Sequence, residues 1–81
     1  MSIISAREAC IRAFVDVEKN FPKTEGYRKS MNRLKQNKAN LMHRCGGIQA
    51  AQYQDEWANV RHEAKVILAR DLFQRTGERQ P

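Results

Sequence analysis

The sequence has few of the residues that build disulfide-rich or turn-rich domains. Its 81 residues include only two cysteines, two prolines and four glycines. Cys10 and Cys45 form no CxxC pair, so the spacing of a zinc ribbon or a disulfide hairpin is absent. So few Gly and Pro residues argue against a β-sandwich with many turns and against a collagen-like or disordered chain. We expect two half-buried free thiols in a reducing compartment.

Long apolar runs and catalytic motifs are absent from the sequence too. No run approaches the roughly 20 apolar residues of a membrane-spanning helix. There is no P-loop, no dinucleotide-binding fingerprint and no G-x-S-x-G motif. A zinc site built from His43, Cys45 and His62 would need a fourth ligand or an open position. His43 and Cys45, two residues apart, would not face each other on a helix. We therefore expect a protein that is not an enzyme and holds no cofactor or metal.

Three stretches with helical periodicity make up most of the chain, at about residues 5–20, 25–44 and 53–75. Each has apolar residues recurring at three- and four-residue steps. These predicted core stripes are Cys10, Phe14 and Val17 beside Ala6, Ile11 and Ala13; Tyr27, Met31, Leu34, Leu41 and Cys45, with Lys38 at the remaining position; and Tyr53, Trp57, Val60, Ala64, Ile67, Leu68 and Leu72. We predict an all-α, three-helix up-down-up bundle forming one domain over residues 1–81, with Trp57 anchoring its core.

Local signals mark the starts of the first two helices and the end of the first. Ser5 and Glu8 match an S-x-x-E capping box for the first helix, and Thr24 is a candidate N-cap for the second. Pro22 disfavours helical geometry at the residue before it, so the first helix should end near Asn20.

Glycines mark the predicted helix ends. The pair Gly46 and Gly47 should stop the second helix, because glycine readily takes the left-handed conformation of a helix C-cap. Gly77 is a candidate C-cap for the third helix. Residues 78–81 then form a frayed polar tail.

Positive charge is concentrated in one stretch of the chain. Of the formal net charge of +6, residues 1–22 and 45–81 contribute nothing, because their basic and acidic residues balance. Residues 23–44 carry the whole excess, with Glu25 as their only acidic residue. The cations of this stretch are Lys23, Arg28, Lys29, Arg33, Lys35, Lys38 and Arg44. The positive field of the protein therefore belongs to the predicted second helix.

A basic helix of this kind has several interpretations. It can meet an acidic protein surface, neutralise nucleic-acid phosphates or anionic lipid head groups, or be an ordinary solvated face. Lys29 and Arg33 share one side of the helix, one turn apart, while Arg28, Lys35 and Lys38 spread around it. The aromatic residues do not alternate with these charges as a platform for stacking single-stranded bases would require.

The junction of the first two helices resembles a known family. It contains Asp16-Val17, then Pro22-Lys23, then Glu25-Gly26-Tyr27-Arg28-Lys29. In this order and spacing the segment is similar to the accessory subunit of mitochondrial complex I called NADH dehydrogenase 1 alpha subcomplex subunit 5. Further along, His62-Glu63 and Leu68-Ala69-Arg70 are similar to that family's third helix. The resemblance spans about residues 10–73.

The resemblance implies a non-catalytic, three-helical, cofactor-free subunit on the matrix-side peripheral arm of complex I, at the mitochondrial inner membrane. Other protein subunits would be its partners. The residues expected to bind them are Tyr27, Arg28, Lys29, Arg33, Lys35 and Lys38. Two alternatives remain open. One is a small nucleic-acid-binding or regulatory module, and the other is a three-helix adaptor such as an acyl-carrier-protein partner. Without the resemblance, a cytoplasmic location is the expectation.

Overall fold

Three α-helices form nearly all of the chain that the computed structural model describes, residues 2–21 and 25–79, the last six of these by their backbone alone. Helix α1 comprises Ile3–Lys19, α2 comprises Glu25–Cys45, and α3 comprises Ala51–Arg79. Pro22 and Thr24, the expected helix stop and N-cap, lie outside the described residues. The predicted all-α, three-helix bundle is confirmed.

Helices α1 and α3 run in parallel, and α3 extends past the end of α1. The Arg7 guanidinium pairs with Glu56, and further along both helices Lys19 Nζ lies 2.8 Å from Asp71 Oδ2. Because Lys19 is the last residue of α1, the part of α3 that follows Asp71 has no α1 surface beside it. This extension contributes to an elongated molecule with extents of 51 × 26 × 20 Å.

Helix α2 runs antiparallel to α1, which completes the up-down-up arrangement. Arg33 Nη1 lies 3.5 Å from Asp16 Oδ2. The amide of Asn20, which comes later in α1, donates a hydrogen bond of 3.3 Å to the hydroxyl of Ser30, which comes earlier in α2. Helix α1 packs along both other helices, whereas α2 and α3 touch each other much less.

The core lies where residues from all three helices meet. Its central cluster consists of Ala6, Cys10, Leu41, Cys45, Tyr53 and Val60. Leu41, Val60 and Cys10 have the largest side chains that are fully buried, and burying a side chain such as Leu or Val stabilises a fold by about 1.5–3 kcal/mol. Both cysteines are therefore more deeply buried than expected. Trp57 is only half-buried and packs at the edge of this cluster, so it is not the central anchor.

The predicted core stripe of α2 needs one correction. Tyr27, Met31 and Leu34 are half-buried rather than buried, and the buried polar residue Ser30 lies next to Met31 in sequence. The hydroxyl of Ser30 accepts the hydrogen bond from Asn20, so its burial leaves no polar group unsatisfied. The start of α2 therefore faces α1 through a polar contact, which leaves Tyr27 and Met31 partly open to solvent.

The predicted capping box at the start of α1 is wrong. Ser2 is the N-cap, and its Oγ accepts a hydrogen bond of 3.1 Å from the backbone N–H of Ser5. Ser5 therefore lies within the first turn, and the helix begins two residues earlier than predicted. Capping by Ser2 satisfies one of the backbone donors that an α-helix leaves free at its N-terminus.

The end of α3 also differs from the prediction. The helix continues through Gly77 to Arg79, past the expected end at residue 75. Gly77 is therefore not a C-cap, and residues 78 and 79 are helical rather than part of a polar tail. Residues 80 and 81 lie outside the described residues.

The Gly46–Gly47 pair ends α2 in a Schellman motif. Both glycines have positive φ, 97° and 115°. The N–H of Gly47 donates to the carbonyl of Met42 at 2.9 Å, and the N–H of Gly46 donates to that of His43 at 3.4 Å. These two hydrogen bonds define the motif, and the left-handed backbone conformation at position 46 favours glycine there. Only five residues, 46–50, separate α2 from α3.

Candidate functional site

An open groove at the start of α2 brings four of the six predicted partner-binding residues together. We call it the basic groove. It has a volume of about 680 Å³, and its lining residues are Glu25, Tyr27, Arg28, Lys29, Met31, Asn32 and Lys35. Tyr27 and Met31 supply apolar surface, and the three cations supply positive charge beside it. The groove can therefore accept an acidic group and an apolar side chain from the same partner.

The cations of the basic groove have little competition from acidic groups of the protein. Arg28, Lys29 and Lys35 are exposed. Lys29 Nζ lies 3.8 Å from Glu25 Oε1, one helical turn away, and both side chains are mostly exposed, so this pair is weak. Within the described residues, Arg28 and Lys35 form no salt bridge. Their charges are available to a binding partner.

The other two predicted partner-binding residues contact neighbouring helices. Lys38 Nζ lies 4.5 Å from the centroid of the Trp57 ring, in a cation–π contact between α2 and α3. Phe14 of α1 packs against the same ring with centroids 6.2 Å apart. Arg33 pairs with Asp16 of α1. The structure therefore places Lys38 and Arg33 outside the basic groove and gives both contacts within the bundle.

Residues that carry the family resemblance hold the α1–α2 junction together. Asp16 pairs with Arg33, and Val17 is buried. The Tyr27 ring meets the Phe21 ring edge-on, with centroids 6.2 Å apart and an angle of 70° between the planes. Each of these residues therefore has a structural role at the junction, and Tyr27 also lines the basic groove.

The two thiols lie beside Tyr53 in the core and are poor nucleophiles. Burial raises the pKa of Cys10 to about 11, against the opposing effect of the positive charge on Lys38. Burial also raises the pKa of Cys45, and the nearby carboxylate of Glu56 acts in the same direction. The pKa of the Tyr53 hydroxyl is raised, again chiefly by burial. Because only the thiolate is reactive, these raised pKa values lower the reactivity of both cysteines.

A two-point ion pair that the sequence did not reveal joins α1 to α3 beside Cys45. Arg7 donates through Nε to one oxygen of Glu56 and through Nη2 to the other at 2.9 Å. The hydrogen bond to Glu56 raises the pKa of Arg7. Glu56 is largely buried and Arg7 partly so, and the planar geometry is the strong form of an Arg–carboxylate contact. This pair fixes the relative position of the two helices.

Other site chemistry is not found in the described part of the chain. Over residues 2–21 and 25–73, where side chains are described, no group of three or more His, Cys, Asp or Glu residues is placed to hold a metal ion. His43 and His62 are both exposed. None of the described helices combines the length and apolar character needed to cross a membrane.

A second surface feature, which the sequence analysis missed, lies on α3. Val66, Ala69, Arg70 and Phe73 line an apolar depression of about 440 Å³. Phe73 is 77% exposed, and Leu72, predicted to be a core residue, is 67% exposed. Leu72 lies outside the core because it follows Asp71, the residue that pairs with Lys19 at the end of α1. The steps of three and four residues from Val66 to Ala69 and Phe73 were a signal for this face in the sequence.

No protein-family model, curated protein or solved structure matches the chain.

Proposed function

We propose that the protein is a non-catalytic docking protein that binds an acidic surface of a larger protein assembly through the basic groove of α2. The observation that carries the proposal is the presence of Arg28, Lys29 and Lys35 around the apolar surface of Tyr27 and Met31. Opposite charges across an interface steer association and fix the register of the partners. The apolar surface between the cations adds contact area that a purely ionic site lacks.

The composition of the groove favours a protein partner over nucleic acid. Arg28 and Lys35 lie two helical turns apart, with Met31 between them, so an acidic helix could place carboxylates and an apolar side chain at matching intervals. A nucleic-acid site would gain from further unpaired cations on the same surface, but Lys38 and Arg33, although exposed, contact Trp57 and Asp16. Nucleic acid remains the alternative partner, and a pull-down with nuclease treatment distinguishes it from a protein partner.

The resemblance in the Asp16 to Lys29 segment supports a narrower proposal. The assembly would be respiratory complex I, with the protein as an accessory subunit on the matrix side of the inner membrane. The support is the order and spacing of those residues alone. Migration of the tagged protein with complex I on a native gel is the expected result, and recovery only in fractions free of respiratory complexes would reject the narrower proposal while leaving the docking function standing.

The docking function is tested by native pull-down and mass spectrometry at low and high salt. The experiment compares the full chain with an Arg28→Glu/Lys35→Glu variant and with an Arg12→Glu/Arg61→Glu control. Both double variants lower the net charge by the same amount at exposed positions, but only the first changes the basic groove. Nuclease treatment of one arm separates direct protein contacts from contacts through nucleic acid.

We expect a defined set of acidic protein partners that is released at high salt, lost in the groove variant and retained in the control. Equal loss in both double variants would show that net charge alone drives capture. Loss of all partners after nuclease treatment would favour the nucleic-acid alternative. Either result would overturn the proposal that the basic groove docks directly on protein.

A further inference from the structure

One face of α3 points away from the bundle and carries its own stripe of regularly spaced residues. Tyr53, Val60 and Ala64 bury the inner face of the helix. On the opposite face, His62, Val66, Ala69 and Phe73 follow one another at steps of four, three and four residues. We call these four residues the outer stripe. Steps of this kind place side chains in one line along a helix and are the pattern of helix-pairing seams.

The outer stripe is apolar from Val66 onwards, towards the C-terminal end of α3. Phe73 is 77% exposed, and the depression centred on Ala69 has Val66 and Phe73 as its apolar walls. The small side chain of Ala69 allows another helix to approach closely. This apolar surface stands out on a protein that is otherwise strongly polar, with a mean hydropathy of −0.77, and it is available for an interaction.

We propose that a second copy of the protein covers the outer stripe, with the two α3 helices packed antiparallel about a two-fold axis. Antiparallel helices pair residues whose numbers have a constant sum. With Val66 opposite Ala69 of the other copy, Phe73 comes opposite His62, and the symmetry repeats both layers. Every member of the outer stripe then meets another member, as a self-complementary two-fold interface requires.

Charge complementarity favours a second copy of the protein as the partner, with the two α3 helices antiparallel. Glu63 and Arg70 lie on the same flank of the outer stripe, seven residues apart. In the antiparallel register, Glu63 of each copy lies within two residues of the level of Arg70 in the other, a distance that the long arginine side chain can span. Neither residue forms an ion pair within the described residues of its own chain.

The opposite flank fits the same register and disfavours a parallel pair. Leu72, which is 67% exposed, comes beside Lys65 of the other copy and can pack on the methylenes of that side chain. In a parallel pair, Lys65 would instead approach Arg70 of the other copy, because flanking positions of parallel helices pair at an offset of five residues. That contact would place like charges together. The antiparallel arrangement replaces it with an ion pair on one flank and an apolar contact on the other.

The contact is small, so we expect a reversible dimer. The outer stripe spans residues 62–73, about 18 Å of helix in each copy, which places the area that its residues bury at the low end of specific interfaces, below about 1,200 Å². The proposed dimer uses no residue of the basic groove. It therefore stands or falls independently of the docking function.

Sedimentation velocity over a range of concentrations tests the dimer. The comparison is between the wild-type chain, Ala69→Glu and the matched control Ala51→Glu. Both alanines are exposed on α3, and Ala51 lies at the start of the helix, outside the overlap. We expect concentration-dependent dimerisation of the wild type and of Ala51→Glu, and a loss of at least about 100-fold in Ala69→Glu. A wild-type protein that is monomeric at about 1 mM, or a dimer that Ala69→Glu leaves intact, would overturn the proposal.

Charge exchange tests the direction of the helices in the same assay. Glu63→Arg alone and Arg70→Glu alone should each weaken the dimer by about tenfold, because each places like charges together at two symmetry-related contacts. The double variant Glu63→Arg/Arg70→Glu restores opposite charges and should restore dimerisation. Losses that simply add in the double variant would exclude the antiparallel register. The four substituted residues, Ala51, Glu63, Ala69 and Arg70, are all exposed. The helical circular dichroism of their variants should therefore match that of the wild type.

Discussion

The neighbouring cations Lys35 and Lys38 should separate into two different roles. Lys35 lines the basic groove, whereas Lys38 Nζ lies 4.5 Å from the centroid of the Trp57 ring and joins α2 to α3. Because α2 and α3 touch each other little elsewhere, the contact between Lys38 and Trp57 is an important part of their interface. Lys38→Ala should therefore lower stability, and Lys35→Ala should lower partner binding.

The size of the effect follows from the geometry of the contact. A cation–π contact at an exposed site contributes about 0.5–1 kcal/mol, and the methylenes of Lys38 add apolar contact. We expect Lys38→Ala to lower the free energy of unfolding by about 1 kcal/mol, whereas Lys35→Ala should change it by less than about 0.5 kcal/mol. Helix propensity affects both variants alike and cancels in the comparison. For a domain of this size, about 1 kcal/mol corresponds to a Tm shift of about 4–8 °C.

Urea titration of the variants, followed by far-ultraviolet circular dichroism, measures this difference. A Lys38→Met variant keeps an unbranched side chain but removes the charge, so it isolates the cation–π part of the contact with Trp57. Partner capture should survive in Lys38→Ala and weaken in Lys35→Ala. Equal free energies of unfolding for Lys35→Ala and Lys38→Ala would refute the structural role that we assign to Lys38.

Three further predictions concern the core and its ion pair. Leu41→Ala should cost about 2–5 kcal/mol in a denaturant titration, because Leu41 is fully buried; a loss below about 1 kcal/mol would contradict its central position. Glu56→Gln should cost about 1–2 kcal/mol, because it leaves the charge of Arg7 without its partner, whereas Glu8→Gln at an exposed position should be nearly neutral. The folded-state pKa of Cys10, about 11, lies above its ordinary value of 9.0, so the unfolded chain loses the thiol proton first as the pH rises. Stability should therefore be intact below pH 9 and fall between pH 9 and 11 by up to about 3 kcal/mol, and Cys10→Ala should show a smaller fall over that range.

The sequence predicts the fold class well because helical periodicity and helix stops are local signals. Apolar residues at three- and four-residue steps identified three helices, and the glycine pair identified the end of α2. The start of α1 was missed because Ser2 and Ser5 both satisfy the preference for serine at an N-cap. The end of α3 was missed because glycine inside a helix costs only about 1 kcal/mol, so Gly77 does not force a stop.

The candidate site was only partly predictable, because contacts between helices depend on how the helices pack. The concentration of cations in α2 is visible in the sequence. Two contacts follow only from the arrangement of the three helices. Lys38 lies on the ring of Trp57, and Arg7 pairs with Glu56, 49 residues away in sequence. The outer stripe is hard to recognise in the sequence because the end of α3 carries apolar residues on two faces, and Leu72 continues the spacing of the core stripe beside Phe73.

The most direct test of docking through the basic groove is a lysine acetylation footprint of the free protein and of its native complex. Mass spectrometry would report how fast Lys29, Lys35 and Lys65 are acetylated in each state, at concentrations low enough to keep the free protein monomeric. We expect binding to slow the acetylation of Lys29 and Lys35 and to leave that of Lys65, on α3, unchanged. Unchanged rates at Lys29 and Lys35 in a complex that is demonstrably formed would show that the partner binds another surface.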